Sequence, residues 1–271
     1  MMDVEKISNS VPSGDGYVGQ DGLLYCKKCG DPLQTFITVP MIGERKVNCI
    51  CKCMAKELNA HEEAKRQEER ERQRRVCFNG SSMMKCTFET SEKSEMLTMA
   101  ENYAKNFSDF KSQGKGLLLY GTVGTGKSHM AACIANALID KDYKVLMTNF
   151  ATIVNILQSS FDGRQEYINS LNKYALLILD DLGAERKSEY MQEQVFNIID
   201  ARYRTGLPMI ITTNLTAEEM KKPADIGNSR IYDRILERCH PLAVQGQSIR
   251  RQSLKEDFKQ TQMILKGDWT R

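Results

Sequence analysis

Residues 121–128 form a complete G-x-x-x-x-G-K-[ST] phosphate loop, and few patterns of this length restrict a fold as much. Gly121, Gly124 and Gly126 let the backbone N–H groups of the loop, which also contains Thr122, Val123 and Thr125, close around a polyphosphate. Lys127 is placed to reach the β- and γ-phosphates, and the Ser128 hydroxyl to ligate Mg²⁺. The flanks agree. Residues 116–120 are a short apolar run between glycines, as a buried parallel strand requires. Met130, Ala131, Cys133, Ile134, Ala137 and Leu138 then recur at helical spacing. Strand, loop and helix therefore follow in the order that sets an anion at a helix N-terminus. Nucleotide binding is the direct expectation.

Composition narrows the rest. A chain of 271 residues accommodates one large domain and a small one. Hydrophobic content of 41% and charged content of 27% describe a soluble protein. The net charge of +3 is too small to imply nucleic-acid binding by itself. No apolar run approaches the roughly 18 residues of a membrane span, so no membrane partner is expected. Residues 1–11 lack the apolar stretch of a secretory signal. Nine cysteines beside a nucleotide site suggest the reducing cytoplasm, with metal ligation favoured over disulfides.

Four segments are expected. Residues 1–22 are polar and read as a flexible lead-in, and residues 23–54 hold five cysteines. Residues 55–76 read as a charged helical linker, supported by i,i+4 pairs such as Glu62–Arg66 and Glu68–Arg72. Such a run supplies no core, and a flexible tether is the alternative. Residues 77–271 form the main domain, with further strand-like runs at 144–148, 175–179, 209–213 and 242–244. Strands alternating with helical segments make this an α/β fold with a parallel sheet covered on both faces.

The run ending at Asp180 and Asp181 delivers two carboxylates to the C-terminal edge of a strand, where ligands of open α/β sheets bind. Asp180 is the expected Mg²⁺ holder, and Asp181 the group that orients or deprotonates the water attacking the γ-phosphate. Paired aspartates can also end a strand or cap a helix. Asn214, at the tip of the 209–213 run, can position that water or sense the γ-phosphate; a turn role beside the capping box starting at Thr216 is equally open.

Four stretches together are more specific. Residues 124–131 (with His129 after the loop), 179–183, 199–203 and 207–215 resemble the DnaC/IstB group of AAA+ P-loop ATPases. The resemblance implies a five-stranded sheet of order 5-1-4-3-2, nucleotide-dependent self-association through the ATPase domain, and a sensor-1 role for Asn214. It implies that Arg230 or Arg234 is offered to a neighbouring subunit as an arginine finger. Arg234 after Asp233 matches better, with Arg230 one turn earlier on the same face. A surface ion pair is the bland alternative for both. Arg250, with Arg251 beside it, resembles a sensor-2-like arginine. Asp181 departs from the Glu of many AAA+ proteins. The few residues after the last strand imply a reduced C-terminal lid, as in this group.

Cys26 and Cys29 have the C-x-x-C-G form of a zinc knuckle, and Cys49, Cys51 and Cys53 follow about twenty residues later. One of these thiols is spare. Cys51 and Cys53 are the expected second pair, with Cys49 the alternate and His61 a distant candidate. A redox role lacks the strand–helix context it needs. A segment this small needs a staple, so Zn²⁺ is expected over buried free cysteines.

A zinc module ahead of the ATPase domain resembles the N-terminal helicase-binding domain of bacterial and phage loaders. The leading expectation is an ATP-dependent loader of a DnaB-type replicative helicase onto single-stranded DNA. An IstB-type transposition helper acting on duplex DNA and a non-hydrolysing nucleotide switch are the alternatives. Lys187, Arg202 and Arg204 are available for phosphate contacts, but no arginine-rich stripe or aromatic ladder marks a DNA path.

Overall fold

Two short hairpins precede the first helix. Strand β1 (Gly16–Val18) pairs antiparallel with β2 (Leu24–Cys26), and β3 (Gln34–Val39) with β4 (Gly43–Asn48). The computed structural model describes residues 16–159, 163–183, 188–223, 225–246, 258 and 261–266. The chain divides into two units, Met1–Glu69 and Arg70–Arg271. Strand β1 lies inside the segment expected as a flexible lead-in. Three residues are too few to show strand alternation. Tyr17 stacks on Tyr25 at 5.8 Å, and the Tyr25 hydroxyl donates to Asp21 at 2.7 Å. The described core of this unit is small: Cys26, Leu33 and Cys51, with Leu24, Cys53 and Met54 against them.

Helix α1 (Lys52–Phe78) carries the expected Glu62–Arg66 pair, at 3.9 Å. Its last turns belong to the second unit, whose boundary lies at residues 69/70 rather than 76/77. The anchors are polar. Arg70 binds Asp142 at 2.8 Å, the Gln73 amide donates to the Val145 carbonyl at 2.8 Å, and Arg74 pairs with Asp140. A hydrophobic pattern cannot reveal such docking, which is why the helix reads as pure linker.

The second unit continues with α2 (Glu95–Lys105), α3 (Phe107–Ser112), β5 (Gly116–Tyr120), α4 (Lys127–Asp140), β6 (Val145–Asn149), α5 (Phe150–Ser159) and α6 (Arg164–Leu171). Then come β7 (Leu176–Leu182), α7 (Glu189–Thr205), β8 (Met209–Thr213), α8 (Ala217–Lys221), α9 (Ile226–Arg238) and β9 (Cys239–Ala243). The five strands β5–β9 form one parallel sheet of order β9-β5-β8-β7-β6. Counting β5 as the first strand and β9 as the fifth, this reads 5-1-4-3-2. Details depart from expectation: β9 begins at Cys239 and β7 runs on to Leu182. Pro241 is accommodated because β9 is an edge strand and no outer ladder needs its N–H.

Alternation along each strand feeds two cores. Leu117, Leu119, Ile178 and Ile210 pack with Ile134 and Leu138 of α4 and Tyr103 of α2. Leu118, Leu177, Leu179 and Ile211 pack with α5, α7 and α9 through Ile153, Ile198 and Ile235. With both faces covered, the strands are apolar throughout.

Arg202, offered above as a phosphate contact, is instead 1% exposed. Its guanidinium donates to the carbonyls of Pro208 (2.8 Å), Tyr174 (3.0 Å), Ala175 (3.2 Å) and Leu171 (3.5 Å). It staples the loops entering β7 and β8. Burial pulls it down to about 10, so it stays charged at neutral pH. Arg202→Met should leave these carbonyls unsatisfied and lower the unfolding free energy by about 3 kcal/mol or more in urea titrations.

Candidate functional site

The phosphate loop is shaped by backbone that only glycine adopts easily. Gly126 has φ +92° as the N-cap of α4. Gly121 has φ +144°, and a Cβ there would lie 2.5 Å from the Val244 carbonyl oxygen. The loop closes on itself through the Thr125 hydroxyl, which donates to the Thr122 carbonyl at 3.0 Å. Lys127 is 5% exposed. Its ammonium donates to the carbonyls of Gly121 (2.9 Å) and Thr122 (2.8 Å) and to Asn214 Oδ1 (2.8 Å). The sensor candidate at the tip of β8 and the loop lysine are thus in direct contact.

Strand β7 breaks its register against β8 between Leu179 and Leu182. Asp181 has φ +57°, a left-handed conformation that Asp tolerates better than most residues. One hydroxyl organises the bulge. Thr212 Oγ1 accepts from the Asp181 N–H at 2.9 Å and donates to Asp180 Oδ1 at 2.6 Å. Nothing in the sequence marks Thr212 for this, because a threonine at a strand end is ordinary.

A cleft of about 490 Å³ runs along the loop. Val123, Gly124, Thr125, Gly126, Lys127, Ser128 and His129 line it together with Asp181 and Asn214. Asp180 is not among its lining residues; it is half-buried, with one oxygen held by Thr212. The opposite wall, from Met83, Thr90, Ser91, Glu92, Ser94 and Leu97, was missed, since this segment contains no motif. His129 ties the walls together: its Nε2 lies 2.8 Å from Ser91 Oγ, and burial lowers the pKa of the ring. Ser128 and Asp180 are hard oxygen donors suited to Mg²⁺.

The arginines lie apart. Neither Arg230 nor Arg234 lines the cleft. Arg230 is exposed on α9, whereas Arg234 pairs with Asp200 at 2.8 Å. Arg204 also pairs with Asp200, at 2.7 Å. Arg250, Arg251 and Lys187 lie outside the described residues.

In the first unit, the sulfurs of Cys26, Cys29, Cys51 and Cys53 lie within 4.8 Å of one another. Cys53 is 3.2 Å from Cys51 and 3.5 Å from Cys26. Cys49 turns away to the Pro32 carbonyl at 3.2 Å, and His61 is exposed on α1. The backbone N–H groups of Asp31 and Cys53 pull the Cys29 thiol down to about 7. The neighbouring thiols, Cys51 first, push Cys53 up. Four crowded sulfurs cannot all ionise without a cation among them, and the donor set fits tetrahedral Zn²⁺.

The family profile described as "IstB-like ATP binding protein" matches residues 52–257. The chain belongs to this family. It is 28% identical over 167 residues to the replicative helicase loader DnaI of Bacillus subtilis, covering 57% of this chain and 53% of that protein. It is 34% identical over 149 residues to a putative insertion sequence ATP-binding protein of Sinorhizobium fredii, covering 54% and 50%. The chain thus spans about half the length of the curated relatives it matches. The crystal structure of the DnaC helicase loader superposes with a TM-score of 0.53 at 26% identity, covering 61% of this chain and 100% of that one. The α/β domain therefore has the AAA+ fold of these ATP-binding proteins. Among the described residues, no helix is long and apolar enough to cross a membrane.

Thr212→Val keeps shape but removes both hydrogen bonds at the bulge. The expected outcome is a stability loss of about 1–3 kcal/mol by thermal melting. Lys127→Ala should abolish nucleotide binding in equilibrium titrations with a fluorescent ATP analogue.

Proposed function

We propose that the protein is a Mg²⁺-dependent ATPase that loads a DnaB-type replicative helicase onto single-stranded DNA, working in the cytoplasm as a self-associating assembly. One observation carries the reading: a single chain combines the Lys127–Asn214–Asp181 cleft with a separate four-thiol unit. A DNA-replication relative, DnaI, is named as a replicative helicase loader.

In this reading the loop amides and Lys127 hold the phosphates of ATP at the N-terminus of α4. Asp181 orients the attacking water and accepts its proton, and Asn214 reports the γ-phosphate to β8 through its contact with Lys127. Ser128 and Asp180 hold Mg²⁺, which supplies charge neutralisation on the phosphate oxygens. Cys26, Cys29, Cys51 and Cys53 hold Zn²⁺, making the first unit a rigid grip for the helicase. A reducing compartment keeps those thiols available. A second reading, a transposition helper acting on duplex DNA, is favoured by the 34% identity to the insertion sequence protein.

The two readings part in a co-purification experiment. Tagged protein should retain a DnaB-type helicase, and Cys26→Ser with Cys29→Ser should release it. Absence of any hexameric helicase, combined with ATP-dependent filaments on duplex DNA, would transfer the assignment to the second reading. Metal analysis of purified protein should find about one zinc per chain. Chelation should lower the melting temperature of the first unit's transition.

A further inference from the structure

Helices α7 and α9 meet at a charged and aromatic cluster distant in sequence from the phosphate loop. Asp200 of α7 is buried, and each of its oxygens takes one arginine: Oδ1 accepts from Arg234 Nε at 2.8 Å, and Oδ2 from Arg204 Nε at 2.7 Å. The Arg234 guanidinium stands 4.7 Å from the ring centroid of Phe196 and 5.6 Å from that of Tyr203. Its Nη1 donates to the Arg230 carbonyl at 3.2 Å. The Arg234 side chain still keeps 27% of its surface exposed.

The mode of grip is informative. An arginine serving only to join two helices commonly offers its fork to a carboxylate in two parallel bonds. Here Asp200 takes Nε alone, the rings flank the cation, and among the described residues Nη2 has no partner. A long flexible side chain is therefore fixed in direction while Nη2 at its far end stays available. Such preorganisation removes the entropy cost of ordering an arginine when charge develops on a phosphate.

We propose that Asp200, with Phe196 and Tyr203, is a socket that positions Arg234 for the nucleotide of a neighbouring copy of this chain. Asp200 is a positioning residue acting through Arg234, the cation supplied in trans. The inference rests on the ATPase reading above.

A mixing experiment tests it. Lys127→Ala protein lacks a working phosphate loop but carries Arg234; Arg234→Ala protein binds ATP but lacks the cation. Neither should hydrolyse ATP alone, and their mixture should recover turnover. A Lys127→Ala/Asp200→Asn donor should restore about 10- to 100-fold less kcat, with KM for ATP unchanged. A Lys127→Ala/Phe196→Leu donor, which keeps the carboxylate, should fall between them. The socket is overturned if the Asp200→Asn donor restores turnover as fully as the simple donor. It is equally overturned if its defect matches a fall in melting temperature and self-association. If wild type hydrolyses ATP but the simple mixture recovers nothing, the trans role of Arg234 is wrong while the ATPase reading stands. If wild type does not hydrolyse ATP, that reading itself fails, and the socket with it.

Discussion

A single buried hydroxyl joins the tips of two parallel strands, and the candidate chemistry is arranged around it. Thr212 is fully buried on β8 and bonds both the Asp181 N–H and the Asp180 carboxylate on β7. The left-handed turn at Asp181 would otherwise leave a strand N–H without its ladder partner. With that donor satisfied, the bulge points the two carboxylates differently: Asp181 lines the cleft, while Asp180 rests against Thr212. Two residues further on, just past the end of β8, Asn214 meets the Lys127 ammonium. Hydrogen bonds thus tie the loop after β5 and the β7 bulge to neighbouring residues at the end of β8.

Much of the large domain was legible because its signals are periodic or stereochemically exclusive. The phosphate loop needs glycines at particular φ values, and five apolar runs separated by helical spacing leave few alternatives to a covered parallel sheet. Family resemblance supplied the strand order. What escaped notice is polar and non-local. The docking of α1 through Arg70, Gln73 and Arg74 leaves no apolar stripe. Arg202 looked like a surface cation because sequence does not show whether a guanidinium faces water or four carbonyls. The cleft wall at 83–97 has no motif, since its role comes from packing beside α4.

The first unit follows a different logic. Its described core contains three buried residues, and two of them are cysteines of the four-thiol group. Apolar burial on that scale does not offset the conformational entropy of two hairpins. The C-x-C-x-C spacing left Cys49 as an alternate to the preferred Cys51 and Cys53; in the structure its thiol is engaged by the Pro32 carbonyl while the other two join Cys26 and Cys29. Here the clustering of cysteines was readable while the strands were not, the reverse of the large domain.

Among the described residues, the two candidate finger arginines and the phosphate loop lie on different layers of the sheet. Lys127 and the loop amides serve the phosphates from α4, on one layer of the sheet. Arg230 and Arg234 belong to α9, which packs with α7 in the opposite layer, and neither lines the cleft. Under the proposed ATPase reading, a guanidinium from α9 would serve the nucleotide of a second copy. In that reading hydrolysis depends on assembly: nucleotide binding can precede self-association, whereas turnover cannot. Such an ordering would suit the proposed loader, which has to stay with its helicase until the complex is complete.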